Sequence, residues 1–227
     1  MVGDEAAFGV NVQERAETTR RCLVEAAARL FDERGYAGTS ISDISALSGR
    51  TSGAIYFHFG NKEQLALAVV EAHFATWPQM VSSTRTAESS ALEKLVALSF
   101  DVARAFRDDV VVRAGSRLWT ERRAIDAQLP APFVGWIDTV GSFLREAAEQ
   151  GELAAGLAPE TAAAGLVYAF FGMHTVSDAL DGRDRIEDRL YDLWLLLLAG
   201  LQAEPDAAGL LARAGATRPT CLVTSRG

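Results

Sequence analysis

The chain has 227 residues, of which 49% are hydrophobic, and it carries a formal net charge of −8. This length suffices for one sizeable core or two small ones, and the many Ala and Leu residues with few prolines indicate an all-α protein. The acidic balance argues against nucleic-acid binding over the whole surface. Cys22 and Cys221 lie far apart in no disulfide or metal-binding pattern, which predicts reduced thiols, no metal and no cofactor.

No targeting or membrane-spanning segment is expected in this sequence. The first residues do not show a basic stretch followed by an apolar one, which is the pattern of a signal peptide. The longest uncharged run, residues 161–177, is shorter than the about 18–20 apolar residues of a membrane helix and contains His174 and Ser177. We therefore expect a cytoplasmic protein without membrane contact.

The first helix is predicted over about residues 14–34, and residues 1–13 are expected to be flexible. Leu23, Ala27 and Phe31 recur at the spacing of one helix face. That apolar face is expected to cover the two short helices that follow it.

A short helix is predicted directly after Ser40. Ile41, Ile44 and Leu47 have the three-residue spacing of one helix face. The Ser40 hydroxyl can accept a hydrogen bond from an amide of the first turn, as serine often does at a helix N-terminus. Gly49 is expected to end the helix, because glycine readily adopts the left-handed conformation found there.

A second short helix is predicted to begin after Thr51, so that the pair forms a helix-turn-helix unit. Ile55 and Phe59 can share its inward face. The outward residues are Thr51, Ser52, Gly53, Tyr56, Phe57 and His58. Adjacent exposed aromatic residues usually mark a contact surface, and a glycine in so short a helix lets another backbone come close. This helix is therefore predicted to enter the major groove of DNA.

The local charge of this segment permits that interpretation. Residues 13–62 contain seven basic and six acidic side chains, so most of the acidity lies elsewhere. A nearly neutral DNA-binding segment predicts few phosphate contacts per subunit, a shallow dependence on salt and a need for two subunits.

Two stretches carry a recognisable signature, namely Ala27 to Tyr36 (AARLFDERGY) and Gly49 to Leu65 (GRTSGAIYFHFGNKEQL). They resemble the N-terminal DNA-binding domain of the TetR family of bacterial repressors, over about residues 20–74. Many members have an apolar residue where Arg50 stands and a lysine where Ser52 stands. The resemblance implies sequence-specific binding to double-stranded operator DNA; the residues alone also allow an ordinary three-helix packing unit.

The expected DNA contacts fall into two groups. Base contacts are expected from Thr51, Ser52, Gly53 and Phe57, and phosphate contacts from Ser40, Tyr56, His58 and Lys62. Arg50 suits either group.

The rest of the chain is predicted to be helical. With a DNA-binding domain at 14–62, residues 63–214 form a predicted ligand-binding and dimerisation domain, followed by a disordered tail at 215–227. The predicted helices span about 62–81, 91–107, 110–123, 133–150, 160–180 and 186–201. Pro78 should end or kink the first of these.

The last two long helices are apolar nearly all round, which predicts that both are covered on two sides. In a small domain one covering surface is expected to be a second copy, so that the paired helices form a four-helix bundle in a homodimer. The TetR family resemblance implies the same arrangement. The expected interface residues are Phe170, Met173, Leu190, Trp194, Leu197 and Leu201.

A signal pocket is expected around Trp136. Residues 112–121 and 132–153 resemble the γ-butyrolactone-type autoregulator receptors of Streptomyces and related actinobacteria, in which a tryptophan on this helix closes over the signal. The resemblance implies a small lactone, butenolide or furan-type signal, bound without metal or catalysis. The expected lining residues are Trp136, Trp119, Phe133, Val140, Tyr168, Phe171 and His174, although aromatic residues in helical proteins are more often simply core.

The function predicted from the sequence is a homodimeric repressor of antibiotic or secondary-metabolite genes, which a small signal releases from a pseudo-palindromic operator. Three alternatives remain open. The protein could answer to another small molecule, such as an antibiotic or a biosynthetic intermediate, or it could act through protein contacts alone. A hydrolase using His174, Ser177 and Asp178 is disfavoured, because no Gly-x-Ser-x-Gly elbow is present.

Overall fold

The computed structural model describes residues 3–130 and 132–216, and within them the chain is all α-helical, as predicted. The helices are α1 (Gly3–Arg34), α2 (Ile41–Ser48), α3 (Ser52–Phe59), α4 (Lys62–Arg85), α5 (Ala91–Asp108), α6 (Val110–Thr120), α7 (Pro132–Glu149), α8 (Pro159–Asp181), α9 (Ile186–Leu201) and α10 (Ala207–Arg213). A short 3-10 turn, Arg122–Ala124, follows α6. Helix α1 begins well before residue 14, where the sequence suggested its start.

The chain forms two compact units, which we call unit 1 and unit 2. Of the described residues, unit 1 comprises 3–77 and 109–130, and unit 2 comprises 78–108 and 132–216. Helix α4 passes from unit 1 into unit 2 between Trp77 and Pro78. The domain limits and flexible ends derived from the sequence stay predictions, and residues 217–227 of the expected tail lie outside the described part of the chain.

Unit 1 is built on the apolar face of α1. Leu23, Ala27 and Phe31 are fully buried, as the periodicity predicted. They share one core with Ile44 of α2 and Ile55 of α3. Burying such side chains contributes about 1.5–3 kcal/mol each, which is enough to hold two helices that are too short to be stable alone.

Helix α6 also belongs to unit 1. The Arg113 guanidinium donates to the Asp32 carboxylate over 2.8 Å, and Arg117 donates to the Asp32 backbone carbonyl over 2.6 Å. The Tyr36 amide donates to Glu121 just beyond α6, over 2.6 Å. These polar contacts fix the end of α1 against α6.

Unit 2 contains α5, α7, α8, α9 and α10. Its core includes Phe106, Phe143 and Leu198, which are at most 2% exposed. Helices α5 and α9 are joined by a hydrogen bond of 2.8 Å from the Trp194 indole nitrogen to the Ser99 hydroxyl. Helices α5, α7, α8 and α9 of unit 2 surround a common interior.

The described residues contain neither a membrane-spanning helix nor a metal-binding cluster. None of the helices there is long and apolar enough to cross a membrane. The same residues contain no group of three or more His, Cys, Asp or Glu side chains placed to hold a metal ion.

Candidate nucleic-acid interface and ligand cavity

Helix α2 starts and stops where the sequence signals lie. The Asp43 amide donates to the Ser40 hydroxyl over 3.1 Å, and the Ser40 amide donates to the Asp43 carboxylate over 3.0 Å. The hydrogen bonds from Ser40 lower the pKa of the Asp43 carboxyl below its usual value. Gly49 has a φ of 64°, in the left-handed region, so it permits the sharp turn that follows. The caps that the sequence predicted for α2 are therefore confirmed.

The turn between α2 and α3 is held by side chains of α2. The Ser45 hydroxyl donates to the Arg50 carbonyl over 2.6 Å, and the Arg50 amide donates to the Ser48 hydroxyl over 3.3 Å. The Thr51 hydroxyl then caps α3 by accepting from the Ala54 amide over 3.2 Å. With its backbone fixed on both sides, Arg50 extends an exposed side chain beside the start of α3.

Helix α3 divides into a buried and an exposed side. Ile55 is fully buried and Phe59 is 8% exposed, whereas Tyr56 is 55% and Phe57 is 83% exposed. A Cβ on Gly53 would meet only the Thr51 hydroxyl oxygen, at 3.7 Å. Packing within the chain therefore does not require glycine there, whereas close approach of another backbone would.

The predicted DNA contacts lie together around this side. Thr51, Gly53, Tyr56 and Phe57 are exposed and Ser52 and His58 are half-buried, with Ser40 and Arg50 exposed before α3. Exposure makes these residues available to DNA, and their individual roles stay predictions.

Lys62 is engaged within unit 1. Its ammonium nitrogen lies 4.1 Å from the centre of the Tyr36 ring, and burial lowers the pKa of this ammonium. The Tyr36 hydroxyl donates to Glu63 over 2.8 Å. Burial, followed by the hydrogen bond to Glu63, raises the pKa of Tyr36 well above its ordinary value. A phosphate contact by Lys62, as predicted, would have to share this cation with the Tyr36 ring.

A cavity that is partly open to solvent lies inside unit 2 between α5, α7, α8 and α9. Its lining residues are Leu95, Leu98, Ser99, Val102, Trp136, Val140, Leu166, Val167, Phe170, Phe171, Leu190, Leu193, Trp194 and Leu197. The Ser99 hydroxyl donates to the Val96 carbonyl over 2.6 Å and accepts from Trp194. The wall is thus apolar and carries no acidic or basic side chain, which favours an uncharged guest.

Three of the residues predicted to contact a signal, Trp136, Val140 and Phe171, line this cavity. Phe133 is not one of the lining residues, but its ring centre lies 4.9 Å from that of Phe171. His174 is 5% exposed but lies outside the lining, where its ring accepts a hydrogen bond of 3.0 Å from Arg183.

The structure corrects two of the signal-contact predictions. Tyr168 is 68% exposed on α8, so it faces away from the interior of unit 2. Trp119 belongs to unit 1, where its indole donates to the Pro130 carbonyl over 3.1 Å. Neither side chain lines this cavity, which the sequence could not show because a stripe of aromatic residues does not indicate which side of its helix faces a void.

The predicted dimer residues need a similar correction. Leu190, Trp194 and Leu201 are at most 6% exposed within one protomer, so they cannot cover a partner. Phe170 and Leu197 line the cavity and Met173 is half-buried. The apolar side chains that do face outward are Tyr168, Val176 and Leu180 on α8 and Leu196 on α9, each at least 55% exposed. An all-round apolar helix gives no angular signal, so the sequence could not separate these sets.

The sequence did not reveal what α5 and α9 contribute to the cavity. Leu95 and Leu193 belong to apolar stretches of their helices, and neither Leu98 nor Val102 stands out from its neighbours. No signal in the sequence distinguishes an apolar side chain beside a void from one in a filled core.

Comparison with known proteins gives matches over both parts of the chain. The family model "Bacterial regulatory proteins, tetR family" matches residues 23–69, and the model "Tetracyclin repressor-like, C-terminal domain" matches residues 89–203. The A-factor receptor protein of Streptomyces griseus is 34% identical over 189 residues, which are 83% of this chain but 66% of that protein. The HTH-type transcriptional regulator TtgR of Pseudomonas putida is 39% identical over 74 residues, which are 33% of this chain and 35% of that protein.

Solved structures give the same result. One described as the molecular basis for control of antibiotic production by bacterial hormones has a TM-score of 0.77 and 45% identity, covering 82% of this chain and 98% of its own. A γ-butyrolactone receptor (ArpA-like protein) has a TM-score of 0.75 and 35% identity, covering 88% and 96%. CprB from Streptomyces coelicolor in complex with its operator has a TM-score of 0.73 and 34% identity, also covering 88% and 96%.

Proposed function

Because the chain belongs to the TetR family of bacterial regulatory proteins, we propose that it is a homodimeric repressor that a small uncharged signal releases from its operator. As a member of this family it is a DNA-binding regulator and not an enzyme. The observation that carries the proposal is the outward side of α3, where Phe57 is 83% exposed on a helix that Thr51 caps at its N-terminus.

The operator is expected to be pseudo-palindromic. The DNA-binding segment of each copy, residues 13–62, has a local charge that is nearly neutral, so a single copy gains little binding energy from phosphates. Two copies on half-sites one helical turn or a multiple apart combine their contacts. The CprB relative, which was solved with its operator, supports this use of the fold.

The dimer is expected to form through α8 and α9. These two helices expose four large apolar side chains, namely Tyr168, Val176, Leu180 and Leu196. Exposed apolar surface of this kind usually marks an interface, because it costs free energy when it stays in water. A second copy would cover them by placing the same surface against itself, as a two-fold interface requires. This arrangement keeps the predicted pair of helices and replaces the predicted residues.

The signal is expected to occupy the apolar cavity of unit 2. An ionised group there would lose its hydration without gaining a charged partner, so a neutral molecule with an alkyl chain fits best. A γ-butyrolactone, a butenolide or an uncharged furan has this chemistry. The names of the A-factor and γ-butyrolactone receptors support the same class, and the bacterial-hormone structure supports control of antibiotic or other secondary-metabolite genes.

Selection of DNA from a random-sequence library by the purified protein tests the first half of the proposal. We expect enrichment of a two-fold symmetric duplex, whose position in the genome then identifies the controlled genes. Failure of any duplex to be enriched at low salt would refute DNA binding.

Gel-shift titration of the enriched duplex tests the second half. A synthetic γ-butyrolactone with a long alkyl side chain is expected to release the protein from the duplex. The hydroxy acid formed by opening the same lactone is not, because its carboxylate would find no charged partner in the cavity. Release by an unrelated antibiotic instead would keep the repressor and change the signal class.

A further inference from the structure

Helix α4 is one of three segments in which the chain passes between unit 1, which contains the predicted DNA-binding helices α2 and α3, and unit 2. It begins at Lys62, close to the predicted phosphate contacts, and ends at Arg85 in unit 2. Pro78 lies inside this helix and has no amide hydrogen, so the hydrogen bond to the carbonyl four residues earlier is missing there. Because α4 has one backbone hydrogen bond fewer at Pro78, it can transmit a movement of unit 2 only if its C-terminal end is held in place there.

The far end is held by Arg85. Its guanidinium carbon lies 4.4 Å from the centre of the Phe143 ring, and one of its nitrogens donates to the Ser142 hydroxyl. Ser142 in turn donates to the Thr139 carbonyl over 2.6 Å, and Phe143 is fully buried. Arg85 therefore grips a fixed part of α7 through a stacked ring and a directed hydrogen bond, a combination that suits a planar guanidinium and not an ammonium.

The same helix forms one wall of the cavity. Trp136 and Val140 line the cavity from α7, and Ser142 and Phe143 follow Val140 within the next turn. Because a helix is stiff over two turns, a guest that displaces Trp136 and Val140 also displaces the two residues that hold Arg85. We propose that Arg85 is the positioning residue through which occupancy of the cavity moves α4. This inference rests on the proposed signal-dependent repressor function.

The alternative is that Arg85 only stabilises the end of α4, as a cation near a helix C-terminus does. Loss of such a residue lowers stability and leaves the effect of the signal on DNA affinity unchanged. Loss of a coupling residue has the opposite pattern, because the signal and the DNA each still bind but no longer influence one another. The decisive quantity is therefore the ratio of operator dissociation constants with and without the signal.

Arg85→Gln measures this ratio, with the lactone probe and the enriched duplex described above. The wild type is expected to bind the duplex about tenfold or more weakly when saturated with the probe, and the variant to change by less than about twofold. Probe affinity, followed by tryptophan fluorescence, and affinity for the duplex alone are expected to stay near wild type. Arg85→Lys keeps the charge but is expected to restore coupling only in part.

Arg145→Gln is the matched control. Arg145 is an exposed arginine on α7 itself, and it pairs with Glu160 of α8 over 3.4 Å. Its loss is expected to leave the ratio unchanged. Equal release of wild type and Arg85→Gln by the probe would overturn the assignment of Arg85 while leaving the proposed repressor function intact.

A substitution that fills the cavity tests the same coupling without an added ligand. Val167 lines the cavity from α8, so Val167→Phe fills part of the cavity without a substitution in α7 or α4. We expect Val167→Phe to weaken operator binding in the wild-type background and not in Arg85→Gln. If neither the probe nor Val167→Phe changes the affinity of the otherwise wild-type protein, the signal-dependent function fails and the role of Arg85 fails with it.

Discussion

Replacing Leu196 by Asp is expected to weaken the proposed dimer strongly. Leu196 is 76% exposed on α9 within one protomer, so most of its side chain is available for burial against a second copy. Full burial of a leucine side chain contributes about 1.5–3 kcal/mol, and three quarters of that is about 1–2 kcal/mol. A two-fold interface contains each residue twice, so the two copies together contribute about 2–4 kcal/mol.

That loss corresponds to a roughly 30- to 1,000-fold larger dissociation constant of the dimer. The aspartate charge acts in the same direction, because it would be buried without a partner. Sedimentation velocity over a dilution series measures the constant. Val134→Asp serves as the control, since Val134 is also apolar and 65% exposed but lies on α7. A Leu196→Asp dimer as tight as the wild type would exclude Leu196 from the interface.

Three further predictions concern unit 1. Phe57→Ala is expected to weaken operator binding by roughly tenfold or more while the dimer stays intact, and unchanged gel-shift affinity would remove Phe57 from the DNA interface. Burial lowers the pKa of His73 from 6.5 to about 4. Between these values the unfolded chain binds a proton that the folded one does not, so stability should fall by up to about 3 kcal/mol as the pH drops through this window. His73→Gln should flatten that dependence in urea unfolding at each pH, and an unchanged slope would contradict the assignment. Gly115→Ala would push a Cβ into His73 and should cost about 1–3 kcal/mol of unfolding free energy, whereas Gly135→Ala, with open space around it in α7, should stabilise by up to about 1 kcal/mol in the same assay.

The local structure of the DNA-binding segment could be predicted from the sequence. Ser40, Gly49 and Thr51 cap or end their helices as predicted, and Ile55 and Phe59 face the core while Tyr56 faces outward. Helix caps and helical periodicity are set by residues within four positions of each other, so neighbouring residues alone carry this information.

The tertiary structure decided what local patterns leave open. Trp194 and Leu196 are both apolar and lie on the same helix, yet the first is 4% exposed and the second 76%. Helix α6 joins α1 through Arg113 and Asp32, a pair 81 residues apart in sequence. The cavity exists because side chains from four separate helices stop short of one another. Rotation of an apolar helix, long-range pairing and incomplete packing all depend on which surfaces meet, and that is fixed only when the whole chain has folded.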